Sequence, residues 1–109
     1  MYSLIYYIPP NEHARVKQAL FDRGAGKVGQ YDECCWEVLG NGQFRAQEGS
    51  NPVIGQVRQL EQLAEFKVEM VCMDEHIHTV VETLLREHPY EQPAYFVNRV
   101  LSLDDLEDV

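Results

Sequence analysis

No apolar run approaches the roughly 18 residues needed to cross a bilayer, so no membrane-spanning helix is expected. Basic residues are scarce. Nine Lys and Arg face 18 Asp and Glu, for a formal charge of −9. Nucleic-acid affinity comes from neutralising phosphates with such cations, so the deficit argues against a polyanionic partner. Cysteine is sparse as well: Cys34 and Cys35 are adjacent and Cys72 is distant. This is not a disulfide framework, and a reducing cytoplasmic setting is expected. The opening residues, MYSLIYYIPP, lack a basic n-region and a small-residue cleavage site, so no secretory signal is expected. There is no H-E-x-x-H and no serine with an evident base, so no catalytic residue is assigned.

What is present suffices for one core. Apolar residues make up 45% of the 109, and charged residues 25%. YSLIYYI (2–8) is rich in aromatic and β-branched residues and predicts a strand. Asn11 is placed to cap a helix that carries Glu12 in its first turn and Val16, Ala19 and Leu20 on one face. Gly24 fits the left-handed position that ends it. YDECCWEVL (31–39) alternates like a strand. GNG (40–42) reads as a hairpin turn, followed by a short strand QFRA. Residues 47–57 are loop-like, and AEFKVEMVCM (64–73) is a second long strand with Phe66, Val68, Met70 and Cys72 on one face. Asp74 is placed to cap a second helix, whose stripe is Ile77, Val80, Val81, Leu84 and Leu85. Residues 94–101 form the last strand. The order predicts an α+β, ferredoxin-like (split βαβ) antiparallel sheet with two helices on one face and a hairpin elaboration. The opposite face, with Tyr2 or Tyr7, Trp36 and Val71, is too apolar to leave in water and implies a homo-oligomer. A single domain over 1–101 and an acidic tail over 102–109 are expected.

GAGKVG (24–29) matches G-x-G-x-x-G, but a helix precedes it and a strand follows, the reverse of the dinucleotide arrangement. A helix stop and tight turn is the better reading. Lys27 has no following Ser or Thr and is not a phosphate-loop lysine. Cys72 belongs to the core, and His13, His76 and His78 do not form a ligand set. The densest punctuation is HPYEQP (88–93). Pro89 stops a helix, Pro93 leads into a strand and Tyr90 supplies an apolar body with a hydroxyl, so a structural corner explains most of it. His88 and Glu91, with Cys34, are the candidate ligands for a divalent metal, the one cofactor the residues suggest. Tyr31, Arg45, Glu48, Asn51 and Tyr90 are the polar groups placed to line a small-ligand site.

GAGKVGQYDECCW (24–36), GNGQFRAQEGSNPVIG (40–55), LEQLAEFKVEMV (60–71) and HPYEQPAY (88–95) together resemble the domain inserted into some bacterial Nif-three-like (YqfO-type) proteins. The corner also resembles CutA proteins. Ala46 departs from the pattern, which has proline there. The resemblance implies a CutA-like or PII-like ferredoxin fold, here as a stand-alone protein and commonly trimeric, with a cleft beside the corner at a subunit boundary. The two-metal site of the larger proteins lies in flanking halves with no counterpart in these residues. The expectation is a non-catalytic small-ligand-binding or regulatory module. The alternative is a divalent-metal-binding protein related to CutA, and a protein partner is a further option.

Overall fold

In the computed structural model, which describes residues 1–107, the first segment forms strand β1 (Tyr2–Ile8). Pro9 then caps helix α1 (Pro10–Asp22), with Pro10 at its first position. This replaces the cap expected at Asn11. A proline there has the helical φ already set and lacks only an N–H that would have gone unbonded. Strand β2 (Trp36–Arg45), strand β3 (Leu60–Cys72), helix α2 (Asp74–Glu87) and strand β4 (Tyr95–Arg99) follow. Met73, not Asp74, occupies the cap of α2. Asp74 and Glu75 instead fill the first turn, where the helix dipole favours acids. A short 3₁₀ turn (Leu103–Asp105) lies in the acidic tail, where the Ser102 N–H donates to Asp105 Oδ2 at 2.9 Å. The tail's end, Asp108 and Val109, lies outside the described residues.

The sheet order is β2-β3-β1-β4, with every pairing antiparallel. The even-numbered residues of β1 and β3 face the helices. Leu4, Tyr6, Ile8, Val68, Met70 and Cys72 are buried with Val16 and Leu20 of α1 and Val80 and Leu84 of α2. Each large apolar side chain so buried contributes about 1.5–3 kcal/mol. The α+β ferredoxin-like architecture is therefore the observed one, with both helices on one side of the sheet.

The hairpin is drawn differently from the sequence expectation. Gly40-Asn41-Gly42 is not a turn. It lies inside β2, paired with Glu65, Ala64 and Leu63, and none of the three has a positive φ. The strand starts only at Trp36. Tyr31–Cys35 is irregular because Glu33 adopts φ 52° and Tyr31 folds back to bridge Val28. β2 and β3 together form one long arm that outruns β1, whose pairing stops at Ile8 opposite Phe66. The strands are joined by the loop 46–59.

The start of β2 is set by a glycine clamp. The Gly24 N–H donates to Phe21 O at 3.0 Å and the Ala25 N–H to Leu20 O at 3.2 Å, the pattern of a helix ended by a left-handed glycine (φ 105°). The Gly26 N–H then donates to Val71 O at 2.8 Å, while Gly26 O accepts from the Cys34 N–H at 2.8 Å. The GxGxxG pattern is thus a helix stop and a chain crossing.

Opposite the helices, side chains fall in rows across the sheet. Trp36, Glu69, Ile5 and Phe96 form one row, and Val38, Lys67 and Tyr7 the next. Trp36 is 62% exposed, Val38 43% and Phe96 54%. Tyr7 belongs to this face, whereas Tyr2 lies on the helix side, paired across the ladder with Cys72 and Arg99.

Candidate functional site

The corner is held by its histidine. Preceding a proline, His88 takes an extended backbone (φ −67°, ψ 136°) and ends α2. Its ring is buried, with 6% exposure. Nε2 lies 2.6 Å from Tyr7 O, and a carbonyl can only accept, so Nε2 carries the proton. Nδ1 accepts from the Tyr90 N–H at 3.1 Å. The imidazole is therefore the neutral Nε2–H tautomer with both nitrogens occupied. Burial pushes its pKa down, against smaller upward pulls from Tyr7 O and Glu65.

The loop after β2 closes on this corner. Glu91 Oε2 accepts from the Asn51 N–H at 2.9 Å, a tie across 40 residues. Between loop, corner and sheet lies a cavity of about 260 Å³. Tyr7 and Phe44 of the sheet, Pro52, Val53 and Ile54 of the loop and Ala94 make its apolar walls. Its polar lining includes Glu65, Tyr90 and Glu91. The Tyr90 hydroxyl is buried beside the Glu65 carboxylate without a hydrogen bond of ordinary geometry. Burial, and then Glu65, push its pKa up, so the phenol stays neutral. A shallower groove continues from the cavity over Gly40 and Gly42 and past Lys67.

Of the residues proposed from sequence to line a ligand site, Tyr90 lines this cavity. Asn51 ties down its loop through the main chain. Glu48 pairs with Arg58 within the loop, and Arg45 is exposed at the end of β2. Tyr31 is 75% exposed and does not line the cavity. Of the proposed metal donors, His88 and Glu91 are engaged as above, and the Cys34 thiol lies 3.5 Å from Asp32 O. Among the described residues no three His, Cys, Asp or Glu side chains converge as a metal site. Sequence reasoning missed Glu65, Tyr7 and Phe44. All three fall on the sheet face away from the core, so their alternation with Phe66, Tyr6 and Gln43 was the available signal.

A second polar cluster joins α1 to β2. His13 is 5% exposed and stacks on Phe66 at 4.5 Å between ring centres. Its Nε2 sits 2.9 Å from Glu37 Oε1, an ion-pair distance without hydrogen-bond alignment. Lys17 Nζ donates to the same oxygen at 2.9 Å. These two neighbours, Lys17 first, hold the Glu37 carboxyl below the usual range. Cys35 Sγ is 3.9 Å away, its thiol pushed up by burial and so protonated. The cluster works as a bolt between helix and strand. His76 packs its ring over Gly24, and His78 is exposed and pairs with Glu82.

No family model matches the chain. It is 40% identical over 91 residues to a GTP cyclohydrolase 1 type 2 homolog of Mycobacterium tuberculosis, covering 84% of this chain and 24% of that protein. It thus spans about a quarter of the length of the curated relatives it matches. Among solved structures it resembles a Bacillus cereus protein related to NIF3, with 31% identity, a TM-score of 0.76 and coverage of 89% of this chain and 24% of that one. It also resembles the PII-like protein CutA from Nostoc, with 17% identity, a TM-score of 0.66 and coverage of 92% and 81%, a likeness of fold alone. The two resemblances expected from the motifs are both present. No described helix is long and apolar enough to cross a membrane.

Proposed function

We propose that this chain, related to one quarter of the NIF3-like proteins and built on the CutA/PII-like fold, is a non-catalytic, homo-oligomeric module that holds a small ligand. The unit proposed is residues 1–101, working as a trimer in the cytoplasm, with the acidic tail 102–109 outside it. The observation that carries this reading is the position of the cavity. It opens on the sheet face that bears Trp36, Val38 and Phe96, where an apolar surface in water favours a sister chain. Tyr90 and Asn51 serve the ligand from within one chain. Tyr31, Arg45 and Glu48, which do not line the cavity of their own chain, complete the cleft from a neighbour. Ligand binding orders the loop 46–57, whose tie to the corner among the described residues is one main-chain hydrogen bond to Glu91. The donors named for a divalent metal are each committed to protein partners, so the small-ligand reading is carried forward.

Trp36 is the only tryptophan, which makes assembly easy to follow. Light scattering after size exclusion is expected to give a three-chain mass, with a blue-shifted Trp36 emission. Trp36→Glu replaces the exposed indole with a charge next to Glu69 and is expected to weaken assembly at least about tenfold, as loss of an interface aromatic does. A monodisperse monomer at micromolar concentration overturns the proposal.

A further inference from the structure

We infer that the cavity takes a small organic cation, an ammonium or similar head on a compact apolar body, and rejects anions. The inference rests on reading the cavity as a ligand site and adds the ligand's chemistry. Its walls are mostly apolar, and among the described residues the only charged side chains lining it are Glu65 and Glu91. Ion pairs occupy other carboxylates of the chain, Glu12, Glu37, Glu48, Glu82 and Glu87 among them. No Lys, Arg or His pairs with Glu65 or Glu91 among the described residues. Lys67 lines only the shallower groove. His88, behind Tyr90, is neutral for the reasons given above.

The backbone is arranged to place this charge. Gly42 faces the same way as Glu65, and a Cβ there would overlap the Glu65 carboxylate. The glycine thus leaves room for the carboxylate to lie against the strand at the cavity. The Tyr90 hydroxyl is buried beside the carboxylate and is not itself open to the cavity. An ammonium has three donors, and a carboxylate accepts from them by charge-assisted hydrogen bonds. The cavity volume of about 260 Å³ is near the lower end for ligand sites, so the apolar body is no larger than a ring with a short chain. The chain's net charge of −9 also favours the approach of cations. Phosphorylated nucleotides meet two carboxylates without a cationic partner and no base in the lining, and are excluded.

Three probes share one shape and differ in charge: 2-phenylethylamine, 2-phenylethanol and phenylacetate. Titrated into the full chain at pH 7 and followed by amide NMR shifts of loop 46–57 and residues 88–94, the amine is expected to bind. The alcohol is expected to be at least about tenfold weaker and phenylacetate to give no saturable shift. Glu65→Gln, which keeps the side-chain shape, is expected to bring the amine down to the affinity of the alcohol. Gly42→Ala, which displaces the carboxylate without removing its charge, is expected to weaken the amine as well. Equal binding of amine and alcohol, tighter binding of phenylacetate, or an unchanged amine affinity in Glu65→Gln overturns the cation assignment and leaves the cavity as a ligand site. Failure of all three probes to bind overturns the cavity itself.

Discussion

Gly26→Ala is expected to remove about 3 kcal/mol or more of stability, whereas Gly29→Ala, three residues on, removes about 1 kcal/mol. Both glycines have positive φ, 78° and 58°, so both substitutions pay for a left-handed backbone. Only Gly26 also meets a wall. A Cβ there would lie 2.8 Å from Cys34 O and from Phe21 Cε1, and 3.0 Å from Cys34 N. Two of these atoms are backbone held by the Gly26–Cys34 hydrogen bond, so relief means opening the crossing that anchors β2 and its bond to Val71. Nothing lies within 4 Å of a Cβ at Gly29. Against the 5–15 kcal/mol of a typical domain, the first change is severe and the second mild. Urea or thermal denaturation of the two variants beside the parent checks the difference. Equal losses would mean that the crossing yields freely and does not fix the start of β2.

His88→Ala is expected to cost about 2–4 kcal/mol at neutral pH, from a buried carbonyl left unpaired and a cavity in its place. The change also removes a pH dependence. Burial makes the folded-state pKa of His88 lower than the value near 6.5 of an unfolded histidine, so between the two the unfolded chain binds more protons. His88's contribution is thus full above about pH 6.5 and is lost as pH falls through the lower folded value. Protonation puts a hydrogen on Nδ1, which then cannot accept from the Tyr90 N–H. The parent is therefore expected to lose stability between about pH 7 and pH 5 more steeply than His88→Ala. Urea midpoints of both proteins at three pH values across that range measure it. Parallel slopes would show that the ring titrates freely.

Much of the architecture was legible because one rule dominated in each segment. β1 is a dense run of β-branched and aromatic residues, and the stripe of α2 has a helical period that Pro89 cuts off. The β2 region misled because two rules competed. Asn-Gly is a turn signal, yet Gly40 and Gly42 are two apart, so both stand on one face of a strand, and the Glu65 side chain crosses it at Gly42. Tyr31–Cys35 alternates like a strand, but the clamp at Gly26 pulls Cys34 out of line. The corner reading of HPYEQP rested on its prolines, and the ring contacts of His88 supply the structural reason. Tyr90 was readable as a lining residue because it is an aromatic with a polar tip inside a turn. Glu65 was not, since LEQLAEF holds a second glutamate, Glu61, and only the folded loop makes one of the two part of a cavity. His13 was passed over for a similar reason: its partner Glu37 lies 24 residues away, beyond any local spacing rule.

The ladder between β1 and β4 sets Tyr2 opposite Arg99, and the Val100 N–H donates to Met1 O at 3.1 Å. The start of β1 and the end of β4 are thus neighbours, a strand's width apart. A longer polypeptide can depart from its own surface, run through this whole unit and return almost to its point of departure without stretching a host loop. The same closeness means that a short linker could join the two ends and fresh termini be opened at the exposed loop 46–59, leaving every strand pairing in place.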